Sequence, residues 1–406
     1  MIDSGDTAFM LVASALVMLM TPGLALFYGG LVRSKNVLGT MLQSFICLGV
    51  VSILWVLGGY SLAFGPDVGL FIGNLDWFAL NAVGTAPGPY SDSIPHLVFC
   101  AFQLMFAILT PALITGAFAE RLKFSAFMAF TILWSLLVYA PVCHWVWGGG
   151  WLAKLGALDF AGGTVIHINS GVAALAAALV VGKRKGYQRE PFPPHNLPMT
   201  VLGAGLLWFG WFGFNAGSAL SAGEIAALAF LNTQVATGAG AVSWILAEWV
   251  RLGKPTTLGA ATGVLAGLVA ITPAAGFVGP VSAVVIGLVA GVVCYGAVIA
   301  KERLGYDDSL DVVGVHGVGG LWGALATGLF ASTAANPDGV NGLFFGNAHQ
   351  FFIQAVGAAA ALVYSFVLSW VLFKLIDAVI GLRVPLEDEV QGLDLTQHSE
   401  TGYTWT

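Results

Sequence analysis

The stretch DFAGGTVIHIN, residues 159–169, places Asp159 and His167 eight positions apart in a chain with few polar groups. Only 9% of its 406 residues are charged, 58% are hydrophobic, and the mean hydropathy is +0.86. Soluble globular proteins carry about 25% charged residues. Long apolar runs separated by short polar segments therefore predict a polytopic helical membrane protein, whereas a transmembrane β-barrel would need short segments of alternating hydrophobicity.

Apolar runs long enough to span a bilayer occur eleven times along the chain. They lie at about residues 8–28, 38–64, 95–118, 125–146, 164–182, 198–216, 224–250, 257–274, 279–300, 311–333 and 350–378. With this count, 14 of the 15 Lys and Arg residues fall on one side of the membrane, and only Lys154 lies opposite. Basic residues favour the cytoplasmic face. The pattern therefore predicts an all-α integral membrane protein with eleven transmembrane helices, the N-terminus outside and the C-terminus inside.

Two domains are expected from the distribution of polar residues. A polytopic membrane domain covers residues 1–380, and a short cytoplasmic tail covers residues 381–406. The four cysteines all fall in apolar runs and show no metal-ligand spacing, which indicates small buried hydrophobes rather than disulfides. The 54 glycines suit membrane helices whose backbones approach closely.

The Asp–His spacing recurs in a second stretch, DDSLDVVGVHG, where Asp308 precedes His316 by eight positions. His167 lies in the fifth run and His316 in the tenth, and these runs cross the membrane in opposite directions. This predicts an inverted repeat of five plus five helices, followed by one extra helix. Inverted repeats are typical of transporters with a site near the midplane. We expect the two histidines to meet there, with Asp159 near the outer mouth and Asp308 near the inner one.

A single membrane histidine often does no more than bond a neighbouring helix, which is worth about 0.6 kcal/mol. Two histidines at symmetry-related positions instead favour a functional pair.

Aromatic and hydroxyl side chains are concentrated near the predicted outer helix ends. HLVFCAFQLMF places Phe102 and Phe106 four residues apart on one helical face. CHWVWGGGWL places Trp147 at the end of the fourth run, and GWFGFNAGSAL places Phe214 four residues before Ser218. Interfacial Trp usually anchors a helix in the headgroup region, and Phe usually packs against other helices. These residues alone therefore leave a structural and a functional interpretation open.

The motifs named so far, together with GLALFYGGLVRSKNVL, AERLKFSA, EPFPPHNLPM and EIAALAFLNT, resemble the Amt ammonium transporters of bacteria over about residues 8–400. The related Rhesus-type proteins share the twin histidines but typically lack the Trp and Ser of the outer site, so Trp147 and Ser218 favour the Amt branch of the superfamily. The resemblance implies a homotrimer with one pore per subunit in the cytoplasmic (inner) membrane. It also implies that a PII-type signalling protein docks on the cytoplasmic loops and tail.

Roles for individual residues are also implied by this resemblance. An outer site that binds ammonium is expected from Trp147, Phe106 and Ser218, with Phe102 nearby and with Asp159 as the acid that supports the site. Below it, Phe106 and Phe214 are expected to form a stacked gate. His167 and His316 are expected to form a hydrogen-bonded pair that lines the narrow pore.

Ammonium differs from potassium, which is similar in size, because it donates hydrogen bonds and can lose a proton. Moving a bare ion into a low dielectric costs tens of kcal/mol, and each desolvated aromatic face returns about 2 kcal/mol. The Ser218 hydroxyl can accept an N–H hydrogen bond. We therefore predict that ammonium loses a proton near the gate and that ammonia crosses along neutral imidazoles. The residues do not decide whether the proton follows separately, which would make transport electrogenic.

Three other functions fit the composition less well. A metal-dependent membrane enzyme usually requires three or more ligands, often with H-x3-H spacing, and the seven histidines are scattered. An ammonium sensor would usually carry an added cytoplasmic domain, for which the tail is too short. A pore for a different small neutral molecule, such as carbon dioxide, would not need the cation site that Trp147 and Ser218 indicate. Ammonium, with methylammonium as its analogue, is the expected substrate; no metal, cofactor, enzymatic activity or nucleic-acid partner is expected.

Overall fold

The computed structural model describes residues 1–404 and is mainly helical. Over these residues, ten helices are long and apolar enough to cross a membrane, and one further apolar helix, α8, is shorter. In chain order they are α1 (Ser4–Leu31), α2 (Ser34–Phe64), α3 (His96–Phe118), α4 (Phe124–Leu155), α5 (Gly163–Val181), α6 (Leu197–Gly217), α7 (Glu224–Leu252), α8 (Thr257–Ile271), α9 (Pro280–Leu304), α10 (Val313–Phe330) and α11 (Ala348–Ile380). Each of the eleven apolar runs of the sequence overlaps one of these helices.

Short elements connect or follow the long helices. Between α2 and α3 lie two antiparallel hairpins, in which β1 (Asp67–Val68) pairs with β2 (Ile72–Gly73) and β3 (Pro87–Gly88) pairs with β4 (Ser91–Pro95). Single 3₁₀ turns occur at Phe78–Leu80 and Leu343–Phe345. The tail after α11 forms α12 (Leu386–Gln391) and α13 (Leu393–His398).

The tail packs against the start of α2. The Asp394 carboxylate accepts hydrogen bonds from the backbone N–H groups of Leu38 and Gly39, at 3.0 and 2.8 Å. The Leu393 N–H donates to Asn36 Oδ1 at 2.8 Å. Because the first turn of a helix has N–H groups without partners, Asp394 caps α2, and the tail becomes part of the helical bundle at this end.

Ion pairs join the basic loops at the same end of the bundle. The buried Glu120 carboxylate lies 2.8 Å from Arg33 and 3.2 Å from Arg184, and Arg184 also pairs with Asp307 at 2.9 Å. Burial raises the pKa of Glu120, but the two guanidinium groups outweigh burial and hold the pKa below its ordinary value. Loops that are distant in sequence thus meet here, in agreement with the predicted grouping of basic residues. Lys154, by contrast, lies 3.7 Å from Asp67.

Helices α5 and α10 contact each other within the bundle. α5 begins with a π-helical turn, Gly163–Ile168, and α10 begins with another, Val313–Gly317. Each turn carries one histidine and follows one aspartate. The Asp159 carboxylate accepts four backbone N–H groups at 2.7–3.0 Å, those of Gly162, Gly163, Thr164 and Val165. Asp308 Oδ2 accepts the N–H of Val313 at 2.7 Å. The spacing of eight residues therefore has a local cause, because each acid caps the turn that carries the histidine.

Glycines bring these two helices into close contact. Gly171 and Gly320 each follow a histidine by four residues. A Cβ atom on Gly171 would overlap the backbone of Gly317, and a Cβ atom on Gly320 would lie 2.8 Å from the Cβ of His167. The contact is reciprocal, since each helix uses the same position of the D-x7-H-x3-G pattern to approach the other.

Candidate functional site

A cavity of about 240 Å³ lies at the end of the bundle opposite the ion-pair network, and we call it the outer cavity. Trp147 and Phe106 line it and meet edge to face, with their ring centroids 6.0 Å apart. Ser218, which directly follows α6, lines the same cavity. The remaining lining residues are Phe64, Tyr90, Phe99, Gln103, Val146, Phe160 and Leu220. Three of the five residues expected at the outer site thus surround one space.

The hydrogen bond of Ser218 determines what its hydroxyl offers to a ligand. Ser218 Oγ donates to the carbonyl oxygen of Phe214 at 2.8 Å. Because the hydroxyl proton is engaged in its own helix, the oxygen lone pairs are the part that faces the cavity. An acceptor in this position suits a ligand with N–H groups.

Trp147 is oriented by the backbone of Asp159. Its indole Nε1–H donates to the Asp159 carbonyl oxygen at 2.8 Å, so the polar edge is satisfied away from the cavity. The aromatic faces then remain available for a cation. The Asp159 carboxylate itself does not line the cavity and is directed to the start of α5. Asp159 therefore lies behind the outer site, in a position that allows support through space but no direct contact with substrate.

Phe102 also lies outside the lining of the outer cavity. It packs edge to face on Phe106 with a centroid distance of 4.8 Å. Its position therefore fits support of the Phe106 ring rather than direct contact with a ligand.

Below the outer cavity, Phe106 and Phe214 form a closed aromatic contact. Their ring centroids are 4.4 Å apart and the rings are 1% and 0% exposed. The planes are inclined by 48°, so the pair is tilted rather than stacked as expected. The rings must move apart before a molecule can pass.

The two histidines lie directly beneath this gate. The ring centroid of Phe214 is 6.1 Å from that of His167, and Trp211 stacks on His167 at 5.4 Å. His167 Nδ1 and His316 Nδ1 are 3.2 Å apart, and the rings are inclined by 24°. In a neutral pair one Nδ1 donates and the other accepts, so the two imidazoles have opposite tautomers. His167 Nε2 is buried and has no hydrogen-bond partner among residues 1–404.

A second cavity of about 270 Å³ reaches His316 from the other end, and we call it the inner cavity. Its lining includes the aromatic residues Tyr28 and Trp244 and the carboxylates of Glu248 and Asp311. Asp308 was expected near this mouth, but it is fully buried and does not line the cavity. Asp308 instead caps the first turn of α10, whereas Asp311, three residues later, lines the cavity together with Glu248.

Gln103 is a cavity residue that the sequence analysis missed. It is 8% exposed, and its Oε1 atom has no hydrogen-bond partner in the described part of the chain. It lies on the same face of α3 as Phe99 and Phe106 and lines the outer cavity with them. A lone amide within the apolar run HLVFCAFQLMF was the available signal, since an unpaired amide in an apolar setting is costly.

Comparison with known proteins identifies the family of this chain. The model of the Ammonium Transporter Family matches residues 8–403. An ammonium transporter of Bacillus subtilis is 55% identical over 400 residues, which cover 98% of each chain. The ammonium transporter Amt1 of Archaeoglobus fulgidus is 47% identical over 99% of this chain and 100% of its own.

Solved structures extend the similarity to three dimensions. Candida albicans Mep2 is 38% identical, with a TM-score of 0.90 over 95% of this chain and 88% of that one. A sensor Amt protein is 34% identical, with a TM-score of 0.90 over 97% and 98% of the two chains. The match is to transporters rather than enzymes, and it covers almost the whole sequence. This multi-pass membrane chain therefore belongs to the ammonium transporter family.

Proposed function

We propose that this protein binds ammonium in the outer cavity, removes a proton near the gate and conducts ammonia along the two histidines. One observation carries the proposal: a buried imidazole pair lies between two cavities and directly under an aromatic gate. Such a column is narrow and apolar enough to disfavour an intact cation. It still offers a hydrogen-bonding surface to a small neutral molecule.

The outer cavity supplies the groups that a desolvated ammonium ion needs. The faces of Trp147 and Phe106 attract a cation, at about 2 kcal/mol per desolvated ring. The Ser218 oxygen accepts one N–H. The Asp159 carboxylate adds negative potential through space while it caps α5, and it does not trap the ion in a tight pair.

The buried pore below the gate favours separation of the proton from ammonia. The pore continues from Phe214 to His167 and His316, and these side chains are almost fully buried. Carrying a charge into such surroundings is expensive, whereas ammonia can accept from or donate to the Nε2 edges of the imidazoles. We propose that the proton follows separately through the same pair, which makes transport electrogenic.

The membrane arrangement belongs to the same proposal. Eleven helices, including the short α8, span the cytoplasmic (inner) membrane with the N-terminus outside and the C-terminus inside. Helices α1–α5 and α6–α10 form the inverted repeat, α11 is the extra helix, and residues 381–406 form the cytoplasmic tail. The reciprocal Gly171 and Gly320 contacts support the repeat, and the joined basic loops support the orientation.

Two partners complete the proposal. The chain forms a homotrimer with one pore per subunit, and a PII-type protein docks on the face that contains the basic loops and the tail. Both rest on the resemblance of the sequence motifs to Amt proteins.

The test is current on a solid-supported membrane from proteoliposomes that receive a pulse of ammonium, with labelled methylammonium uptake in parallel. The double variant His167→Ala/His316→Ala is compared with wild type, and Phe209→Ala, an exposed residue of α6, is the control. Loss of current in the double variant, with current retained in Phe209→Ala, supports proton passage through the two histidines. Uptake without any wild-type current refutes the electrogenic step. Absence of both from folded protein contradicts the transport function and favours a sensor.

A further inference from the structure

His144 is a buried residue beside the outer cavity that the proposed transport steps do not use. It is 0% exposed and lies in α4, three residues before Trp147. Its ring bridges two other elements. Nδ1 lies 3.0 Å from the carbonyl oxygen of Ala63 at the end of α2, and Nε2 lies 2.9 Å from the Asp67 carboxylate in β1.

Both ring nitrogens of His144 therefore face oxygen acceptors. A carbonyl oxygen and an ionised carboxylate can only accept hydrogen bonds, while a neutral imidazole has a single N–H. A neutral ring would leave one nitrogen lone pair directed at an oxygen lone pair inside the protein. The imidazolium form donates from both nitrogens and satisfies both contacts.

The charged groups around the ring favour the imidazolium over a protonated Asp67. The hydrogen bond from His144 holds the pKa of Asp67 below its ordinary value, and Lys154 lies 3.7 Å from the same carboxylate. Tyr90 is the titratable group on the neighbouring loop. Its hydroxyl donates to the carbonyl oxygen of Phe64 at 2.6 Å.

The same residue closes the turn that presents Trp147. The His144 carbonyl oxygen accepts the N–H groups of Gly148 and Gly150, at 3.0 and 2.9 Å. A Cβ atom on Gly148 would overlap the Ala63 carbonyl oxygen and crowd the His144 ring, so the backbone packs tightly on the bridge.

Two more bonds attach the β1–β2 hairpin to this turn. Trp145 Nε1 donates to the carbonyl oxygen of Phe71 at 2.9 Å, and the Trp151 N–H donates to that of Leu70 at 3.0 Å. The hairpin thus holds the turn at three points, of which the His144–Asp67 contact is the charged one.

We propose that His144 is an imidazolium held between Asp67 and Ala63, and that its charge positions Trp147 for the binding of ammonium. It is a positioning residue, since it acts through the turn and does not line the cavity. This inference rests on the proposed function of the outer cavity. In a neutral ring a lone pair would face an acceptor, so the bridge would be weaker and Trp147 would no longer be held over the site.

The direct test is ¹⁵N NMR of histidine side chains in the full-length protein, with the His144 signals assigned through His144→Gln. Two protonated nitrogens on His144 at neutral pH are expected in the wild type. A neutral tautomer overturns the inference. Because this readout does not involve transport, it stands even if the chain fails to transport ammonium.

The functional test compares the KM for methylammonium uptake across a series of pH values. The Asp67→Asn side chain can donate to a neutral Nε2, so this variant keeps the bridge without the charge. We expect this variant to have a KM within about twofold of wild type at neutral pH. The wild-type KM should rise in alkali, and the KM of Asp67→Asn should not show this rise. Asp67→Ala breaks the bridge and raises KM about tenfold over wild type at neutral pH, as expected when one hydrogen bond to a charged group is lost, and this difference should narrow in alkali.

Asp76→Asn is the matched control, because Asp76 is an exposed carboxylate in the same loop and is bonded to Asn74. Its KM should follow the wild-type profile. The inference is wrong if Asp67→Asn keeps the wild-type alkaline rise, or if Asp67→Ala leaves KM unchanged in folded protein. A folded wild type that takes up no methylammonium contradicts the proposed function, while the NMR measurement still decides the charge on His144.

Discussion

At the scale of single residues, hydrogen bonds decide what each side chain offers to the substrate. Ser218 uses its proton within α6 and presents lone pairs. Trp147 uses its N–H on the Asp159 carbonyl and presents its faces. Gln103 has an amide oxygen without a partner in the described chain. The outer cavity is therefore an acceptor and π-electron site, a combination that selects a cation with N–H groups.

Ser218→Ala removes the acceptor and leaves the aromatic faces in place. A hydrogen bond to a charged group contributes about 1.5–3 kcal/mol, so the KM for methylammonium should rise at least about tenfold, with little change in the maximal rate. Ser221→Ala is the control, since its hydroxyl contacts the backbone of Ala219. An unchanged KM in Ser218→Ala would show that the hydroxyl takes no part in binding.

Gln103→Leu should have opposite effects on stability and on binding. Replacing an amide that has an unpaired buried oxygen relieves a penalty of about 1–3 kcal/mol, so the melting temperature should rise. The affinity for ammonium should fall, because the cavity loses a polar group. Gln43→Leu is the control, since Gln43 in α2 is also buried with an unpaired Oε1 but does not line the cavity. It should gain stability and keep its KM. Equal changes in KM for both variants would contradict this.

At the scale of elements, α5 and α10 place the histidines. Each begins with a π-helical turn capped by an aspartate, and each presents a glycine to the other helix. Asp159 accepts four N–H groups and holds Trp147 through its carbonyl. One residue thus connects the outer site to the start of the pore helix, which explains an acid in such an apolar setting.

Gly171→Ala and Gly320→Ala should each separate the two helices and lengthen the contact between the imidazoles. The added methyl groups would meet the backbone of Gly317 and the Cβ of His167, and overpacking of this kind typically costs about 1–3 kcal/mol. Thermal unfolding in detergent and uptake should both decline. Gly205→Ala in α6 has open space around it and should be neutral or up to about 1 kcal/mol stabilising. Full transport in both pore variants would mean that the histidine contact tolerates separation.

At the scale of the whole molecule, loops and tail join at one end of the bundle. Glu120 holds Arg33 and Arg184, Arg184 holds Asp307, and the Arg383 guanidinium meets Glu389 in α12 at 2.6 Å. The Lys185 N–H also donates to Glu389 Oε1 at 2.6 Å, so these contacts together link both halves of the proposed repeat to the tail. The gate and the histidine pair lie away from them, so damage to this network should affect stability before it affects selectivity.

Glu120→Gln should lower the free energy of unfolding by about 3 kcal/mol at neutral pH, because it removes the carboxylate charge that pairs with both Arg33 and the buried Arg184. The pKa of Glu120 in the folded state lies below its ordinary value. The stabilisation is therefore complete above about pH 4.3 and is lost as the pH falls through the folded-state pKa. Melting curves at several pH values should show the difference from wild type shrink in acid. The exposed Glu302→Gln is the control, and a difference that grows in acid would contradict the assignment.

Much of the fold followed from local chemistry. The apolar runs overlap the eleven apolar helices because burial in lipid requires continuous apolar segments. The meeting of His167 and His316 followed from a repeated spacing. The positions of Asp308 away from the inner cavity and of Phe102 behind Phe106 did not follow, since a carboxylate or a ring in an apolar run has the same sequence signal whether it lines a cavity or supports it from behind.

The sequence by itself determined that the chain is a helical membrane protein, where its helices lie, and which two histidines form a pair. These properties depend on hydropathy and spacing along one dimension. Only the tertiary structure decided which side chains face the cavities, that Gln103 and Asp311 are among them, and that His144 faces two acceptors. The reason is physical: a hydrogen bond or a cavity joins residues from separate helices, and its existence depends on how those helices pack.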